Sequence, residues 1–163
     1  EVERLCSGFE HVYPVNYNCP GQVSVSAASE EMKPFSDLVK ASGGRAIPIK
    51  VSGAFHSPYM DQAAEDFKGV IADVDFAPCD IPVYSNCTGA PYEGDIQSTL
   101  GLQMNHPVRW ETIIRAMIDD GVDTFIELGP GKTLSGFIKK IDSSVNIYGV
   151  AEEEEAKAVI AAF

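Results

Sequence analysis

Apolar and polar positions alternate along the first part of the chain in the way that β-strands require. Val, Tyr and small polar residues alternate over residues 12–27 around a central Asn18-Cys19-Pro20-Gly21, which predicts two strands joined by a turn. Residues 29–41 place their apolar side chains at helical spacing instead. This second pattern predicts an amphipathic helix with Ser29 as its cap.

A β-prone run over residues 45–51 follows this helix and predicts a third strand, which continues into Ser52-Gly53. The chain starts with Glu1-Val2-Glu3-Arg4-Leu5, which is typical of the middle or end of a helix. Residues 1–52 therefore give helix, strand, strand, helix and strand. This order makes up most of a small βαββαβ lobe whose first strand would precede Glu1.

After residue 52 the pattern changes to helices that alternate with short apolar strands. The predicted helices cover residues 60–74, 95–104, 110–119 and 133–141 and the chain from Glu152 onward, and the predicted strands cover 81–85, 124–128 and 146–150. This alternation is typical of a parallel sheet covered by helices on both faces. The sequence therefore predicts an α/β protein divided into residues 1–52 and residues 53–163.

Composition limits the functional classes. A chain of 163 residues with 45% hydrophobic residues suits a soluble globular protein of one domain, or of one domain and a small lobe. No apolar run approaches the roughly 20 residues that a membrane span needs. The net charge of −12 argues against nucleic acid or an anionic membrane as the main partner. The chain has neither an initiating Met nor a signal peptide, so we expect a piece of a longer protein.

The cysteines and histidines do not form a recognisable metal-binding pattern. They are dispersed along the chain at Cys6, Cys19, Cys79, Cys87, His11, His56 and His106. No CxxC pair or zinc spacing occurs among them, so we predict no metal ligands. Free thiols in a reducing cytoplasm are the simplest interpretation, and we expect a cytoplasmic protein.

His56 is the strongest candidate for a catalytic side chain. It lies where the predicted strand ends and just before Pro58, which favours the first turn of a helix. Small residues before it would let the backbone approach a ligand closely. Catalytic groups of α/β enzymes often lie at such a position. A histidine that only caps a helix or packs in the core fits the position equally well.

A nucleophile for His56 is harder to find. The chain has no G-x-S-x-G elbow, Ser52 and Ser57 are too close in sequence to be obvious partners, and no motif supports Cys87. Either the nucleophile lies outside this chain or His56 is not catalytic.

Two further segments could bind a ligand. Residues 129–133 resemble a phosphate loop but lack its spacing, so we interpret them as a structural turn. The loop at Asn18 could present an amide to a ligand, because Asn offers both a donor and an acceptor.

Four motifs in order resemble a known enzyme family. They are Asn18-Cys19-Pro20-Gly21-Gln22, Gly53-Ala54-Phe55-His56-Ser57-Pro58, Gln103 with His106-Pro107-Val108-Arg109-Trp110, and Glu127-Leu128-Gly129-Pro130-Gly131. The sequence is similar along its whole length to the C-terminal half of malonyl-CoA:acyl carrier protein transacylases. This family of type II fatty acid synthesis is related to polyketide synthase acyltransferase domains. The resemblance implies an α/β-hydrolase-like subdomain and a small ferredoxin-like lobe.

The resemblance also implies a mechanism. The family transfers malonyl from coenzyme A to the phosphopantetheine thiol of acyl carrier protein through a serine ester, and it needs no separate cofactor. The serine would lie in a missing N-terminal half, with His56 as its general base and then general acid. The main-chain carbonyl of Gln103 would orient His56. Phe55 would contact the acyl group and select malonyl over methylmalonyl, since its ring leaves no room for an α-methyl.

Two other functions remain open on the sequence. One is an acyltransferase domain from a polyketide synthase, and the other is a non-catalytic module that binds acyl-coenzyme A or carrier protein. Acyl carrier proteins are acidic, so a chain of net charge −12 would need a local basic patch, for which Lys132, Lys139 and Lys140 are candidates.

Overall fold

The computed structural model describes residues 1–51 and 53–163, and two small sheets lie in different parts of the chain. Strands β1 (Val12–Cys19) and β2 (Gln22–Ala27) pair antiparallel, with Val12 opposite Ala27. Strands β3 (Thr124–Leu128) and β4 (Asn146–Val150) pair parallel. The predicted hairpin, the two later strands and their parallel pairing are therefore confirmed.

Helices connect and cover these strands. They are α1 (Val2–Cys6), α2 (Ser29–Ala41), α3 (Asp61–Val70), α4 (Ile96–Leu102), α5 (Trp110–Asp119), α6 (Thr133–Ile141) and α7 (Glu153–Ile160), with a 3-10 turn at Pro58–Met60 before α3. The predicted bounds of α2, α5 and α6 are confirmed. Ser29 was predicted to cap α2, but it is the first helical residue, and Ala28 takes the cap position without a side-chain hydrogen bond.

The first hydrophobic core lies between the hairpin and the two helices that flank it. Leu5 and Cys6 of α1, Val12 of β1 and Phe35 of α2 are buried together. The ring of Phe9 meets Phe35 edge to face, with 5.6 Å between the ring centroids. Residues 2–41 therefore form a packed unit around one face of the hairpin.

The second core lies under the parallel strands. Phe125 of β3 is buried against Ile114 of α5 and against Ile138 and Ile141 of α6. Cys19, the last residue of β1, belongs to this core as well. The hairpin is also hydrogen-bonded to the segment before α5, where Tyr17 N–H donates to Val108 O at 2.8 Å. The hairpin thus contributes to both cores.

Two predicted strands are absent from the described residues. Residues 45–51 have no regular secondary structure, and Ser52, into which that strand was predicted to continue, lies outside the described part of the chain. Residues 81–85 form a single bridge, Tyr84 to Pro91, instead of a strand. A strand needs a hydrogen-bonded neighbour as well as suitable side chains. The run 45–51 has no such neighbour among the residues described here, and its Ile47, Ile49 and Val51 are exposed.

Two predicted helices are shorter than their patterns. The helix predicted over 60–74 ends at Val70, and turns follow it. The helix predicted over 95–104 spans Ile96–Leu102. Asp95 is its N-cap and accepts from Ser98 N–H at 2.9 Å, and turn residues follow Leu102. No helix in the described ranges is long and apolar enough to cross a membrane.

A carboxylate from β3 caps helix α6. The N-cap residue Lys132 makes no side-chain cap, and Glu127 accepts instead from Leu134 N–H at 3.1 Å, Ser135 N–H at 2.8 Å and Ser135 Oγ at 2.5 Å. The hydrogen bond from the Ser135 hydroxyl, followed by those from the backbone, lowers the pKa of Glu127. The glycine turn at residues 129–131 therefore precedes a helix end at which Glu127 already accepts from two backbone N–H groups, which supports the structural interpretation of that turn.

We expect Glu127→Gln to lower the free energy of unfolding by about 1 kcal/mol at neutral pH, because α6 loses its charged cap. A lowered folded-state pKa stabilises the protein above the unfolded-state pKa, and this contribution is lost as the pH falls through the folded-state value. The difference between the two proteins should therefore shrink as the pH falls below the ordinary glutamate pKa of 4.5. Urea unfolding of the full-length proteins measures this difference in the free energy of unfolding. Glu93→Gln, at an exposed glutamate, is the control. An equal loss in the control would contradict the assignment.

Candidate active site at the end of helix α4

His56 lies in a tight turn and has an unusual backbone conformation. Its φ of 61° is in the left-handed region, and His56 is the only non-glycine residue with a positive φ among the residues described. The predicted strand end is therefore a turn between residues 53 and 57. A left-handed conformation costs an ordinary residue roughly 1–2 kcal/mol, so the surrounding contacts must stabilise it.

Two carbonyl groups at the C-terminal end of α4 hold His56. Its backbone N–H donates to Met104 O at 3.1 Å, and its Nδ1 lies 2.7 Å from Gln103 O. A carbonyl oxygen only accepts hydrogen bonds, so Nδ1 carries the proton. The neutral ring then has its lone pair on Nε2. This is the contact that the resemblance implied for Gln103, and its catalytic role stays a prediction.

The sequence after α4 explains why the Gln103 carbonyl is free for His56. The next donor of a continued helix would be the N–H of residue 107, but Pro107 has none. The N–H of His106 donates to Leu102 O at 3.0 Å instead. The proline thus leaves an acceptor at the helix end.

The residues after His56 fix the turn from the other side. The Ser57 side chain is buried, and its hydroxyl donates to Ala54 O at 2.6 Å. Pro58 opens the 3-10 turn, and the Met60 N–H donates to Ser57 O at 2.9 Å. Ser57 thus supports the turn that carries His56.

Helix α4 is held in place by α3, the helix that follows the His56 turn. The two pack so closely that a Cβ on Gly101 would lie 2.5 Å from Lys68 Cγ. Asn105, just beyond α4, donates through its side chain to Asp61 Oδ1 at 2.8 Å. These contacts give the carbonyls of residues 103 and 104 a defined position relative to His56.

Phe55 leaves an aromatic side chain at the surface beside His56. Its ring is 52% exposed, which is unusual for so large an apolar group. It lies over Gly53, where an added Cβ would be 2.8 Å from Phe55 Cζ. Gly53 therefore makes room for the Phe55 ring, whereas from the sequence we expected the small residues here to let the backbone approach a ligand.

The other two candidates lie elsewhere. Asn18 is in the hairpin, and its amide donates to Ser24 Oγ at 3.2 Å. In the described residues no hydrogen bond joins Asn18 to His56. Cys87 lies in the loop before α4, with its Sγ 3.3 Å from Ser85 Oγ and 3.7 Å from Thr99 O. Among the described residues no hydrogen bond joins Cys87 to His56.

The sequence pattern missed several residues that build this site. The Met104 carbonyl accepts from the His56 N–H, a main-chain contact that leaves no side-chain signature. The Ser57 hydroxyl donates to a main-chain carbonyl, and its residue type alone does not predict this contact. Pro107 was a readable signal for a free carbonyl four residues earlier.

In the described ranges no group of three His, Cys, Asp or Glu side chains is arranged to hold a metal ion.

A comparison with protein families identifies the chain. The model of the acyl transferase domain matches residues 1–160. The chain belongs to this family. The malonyl CoA-acyl carrier protein transacylase of Bacillus subtilis is 41% identical over 148 residues, which cover 89% of this chain and 47% of that protein.

Solved structures of this acyl transferase family show the same fold. The malonyl CoA-acyl carrier protein transacylase from Clostridium perfringens has a TM-score of 0.93 and 34% identity, and the match covers 99% of this chain and 52% of that one. A malonyl-transacylase in complex with a type II PKS acyl-carrier protein has a TM-score of 0.95 and 28% identity, with 99% and 54% covered. The chain thus spans about half the length of the relatives it matches.

The left-handed φ of His56 predicts an order of stability among its variants. His56→Gly should be more stable to unfolding than His56→Ala by about 1 kcal/mol, because glycine adopts this φ without strain whereas alanine does not. Both variants lose the ring and its hydrogen bond, so the difference isolates the backbone. Urea unfolding of the two full-length variants measures it. An alanine variant at least as stable as the glycine variant would show that the turn carries no strain.

Proposed function

We propose that residues 1–163 are the C-terminal half of a malonyl-CoA:acyl carrier protein transacylase, in which His56 is the acid–base catalyst. The observation that carries this proposal is the 2.7 Å contact between His56 Nδ1 and Gln103 O, which leaves Nε2 as the basic nitrogen. Membership of the acyl transferase family and the names of the matched relatives support the substrates.

In the first half-reaction, His56 Nε2 takes the proton of a serine hydroxyl as the serine oxygen attacks the malonyl thioester carbonyl. The tetrahedral intermediate collapses, the carbon–sulfur bond breaks, and the proton on Nε2 passes to the leaving thiolate of coenzyme A. The product is a malonyl-serine ester. The Gln103 carbonyl keeps the ring in one tautomer and faces the positive charge that develops on it.

In the second half-reaction the same groups work in the opposite direction. The phosphopantetheine thiol of acyl carrier protein gives its proton to His56 Nε2, and its sulfur attacks the ester. The serine leaves and takes the proton back. The thioester is the substrate, and this chemistry uses no separate cofactor. A matched neighbour that is a complex with an acyl-carrier protein supports this partner.

The serine would come from a segment outside residues 1–163. The chain matches only about half of its relatives, so the relatives contain a second half that could supply it. Exposed apolar side chains support a further segment that packs over β3 and over residues 47–51. Ile126 and Leu128 of β3 are exposed, and β3 pairs only with β4 among the strands described. Ile47, Ile49 and Val51 are exposed at alternate positions, as in a strand that needs a partner.

The exposed strand positions also bear on the fold of the whole protein. We propose that residues 1–52 complete a ferredoxin-like lobe and that residues 53–163 complete an α/β-hydrolase-like subdomain when the other half is present. The separate cores around Phe35 and Phe125 support a division of this kind. Cys19 of the hairpin would then lie at the contact between the two parts.

We propose further that Phe55 forms a wall of the acyl pocket. Its exposed ring directly precedes the catalytic histidine, where an α-methyl on the acyl group would meet it. For Asn18 we propose at most an indirect contribution, because its amide is engaged within the hairpin.

We expect His56→Ala to lower malonyl-serine formation in the full-length protein by about 10²–10⁴-fold, since the serine loses its base. Rapid quenching followed by peptide mapping measures both the rate and the acylated residue, and His11→Gln is the control histidine. Acylation should occur on a serine outside residues 1–163. An unchanged rate, or acylation of Cys87, would contradict the proposal. Binding of acyl-coenzyme A without turnover in the wild-type protein would favour the binding module.

We expect Phe55→Ser to raise methylmalonyl transfer relative to malonyl transfer by about tenfold, because one methyl group in a pocket is worth roughly 1–3 kcal/mol. The ratio of the two kcat/KM values is the measurement. Phe163→Ser, which removes an exposed ring packed on Tyr148, is the matched control. If the ratio does not change in Phe55→Ser, another side chain forms the wall.

A further inference from the structure

A line of polar contacts continues behind His56 and ends at Tyr92. Gln103 takes part in it twice: its carbonyl accepts from His56 Nδ1, and its side-chain Nε2 donates to the Tyr92 hydroxyl. The main-chain carbonyl of Gln103 thus contacts His56, while the side-chain amide of Gln103 contacts Tyr92 on the other side. None of the sequence motifs included Tyr92.

The Gln103 carbonyl needs such an anchor because the backbone provides little. It follows the last residue of α4, Pro107 has no N–H to give it, and in the described residues no backbone N–H donates to it. The preceding carbonyl, Leu102 O, by contrast accepts from the N–H groups of both Asn105 and His106. In the peptide group between residues 103 and 104, the Met104 N–H donates to Gly101 O at 3.3 Å, whereas the Gln103 carbonyl has no helical partner. An anchor on the Gln103 side chain therefore restricts the orientation of the carbonyl that His56 uses.

The Tyr92 hydroxyl is a suitable anchor because its own loop is fixed. The Tyr92 N–H donates to Val83 O at 2.8 Å, next to the bridge between Tyr84 and Pro91. The loop is attached to α4 through Cys87 Sγ and Thr99 O, and to the start of α5 through Arg109 Nε, which donates to Cys87 O at 3.0 Å. Burial raises the pKa of Tyr92, so its hydroxyl stays neutral and can both donate and accept.

We propose that Tyr92 is a positioning residue for the acyl transfer reaction and acts on His56 through Gln103. The Tyr92 hydroxyl fixes the Gln103 side chain, the side chain fixes the peptide group, and the carbonyl of that group keeps His56 Nδ1 protonated and Nε2 aimed at the serine. This inference rests on the proposed function of His56. Tyr92 itself does not touch the substrate.

The test compares Tyr92→Phe with wild type in the full-length protein. The variant keeps the ring and removes the hydroxyl, so kcat for malonyl transfer should fall about 3- to 10-fold while the KM for malonyl-CoA stays the same. Gln103→Met removes the amide but retains the length of the side chain and the main-chain carbonyl, and should cause the same loss. The double variant should lose no more activity than the Tyr92→Phe variant, because both substitutions break the same contact between Gln103 Nε2 and the Tyr92 hydroxyl.

A second readout does not depend on activity. The Nδ1 proton of His56 is observable by NMR in protein labelled with 15N-histidine, and its exchange with water should be faster in Tyr92→Phe than in wild type. The control is Tyr84→Phe, which removes a hydroxyl from the same loop that is bonded to Asp120 instead of Gln103. It should change neither the exchange rate nor kcat.

The outcomes separate the two proposals. Wild-type kcat and wild-type exchange in Tyr92→Phe would overturn the positioning role, as would additive losses in the double variant. Wild-type activity in His56→Ala would overturn the proposed function instead, and the exchange rate would then still decide whether Tyr92 holds the Gln103 carbonyl. If Tyr92→Phe does not fold, Gln103→Met supplies the same two readouts.

Discussion

The site depends on two carbonyl groups that α4 leaves without helical partners. Every helix ends with carbonyls that lack an internal donor. Here Pro107 keeps the chain from supplying the donor for Gln103, and His56 takes that acceptor through Nδ1 and the next one through its backbone N–H. The same contacts hold His56 at a φ of 61°. One helix end thus sets both the backbone conformation and the tautomer of the histidine.

Most of the rest of the structure positions this helix end. Helix α3 packs against α4 at Gly101, and the loop that carries Cys87 and Tyr92 is attached to α4 and to the start of α5. Helix α5 in turn packs on Phe125 of β3 in the second core. The parallel strands, the helices that cover them and the loop therefore form one framework behind His56. Phe55 faces away from that framework and is exposed.

The sequence predicted those elements whose side chains determine their own structure. The hairpin, α2, α5, β3, α6 and β4 were readable because each has a complete hydrophobic face and a clear turn at its end. The run 45–51 has a strand pattern but no neighbouring strand, so pattern alone gave the wrong result. The His56 turn was missed because its determinants are main-chain carbonyls and a proline 51 residues later, which show no periodicity. His56 was predicted as a catalytic candidate from its position, and that role stays a prediction. Neither its tautomer nor Tyr92 could be inferred from spacing.

The tautomer of His56 shows whether the Gln103 carbonyl orients the ring. In the full-length protein labelled with 15N-histidine, two-bond proton–nitrogen correlations at a pH well above neutral distinguish the two neutral forms of each ring. We expect Nδ1 of His56 to carry the proton and Nε2 the lone pair, because Gln103 O can only accept. A His56 ring protonated on Nε2, or one that exchanges freely between the two forms, would contradict it.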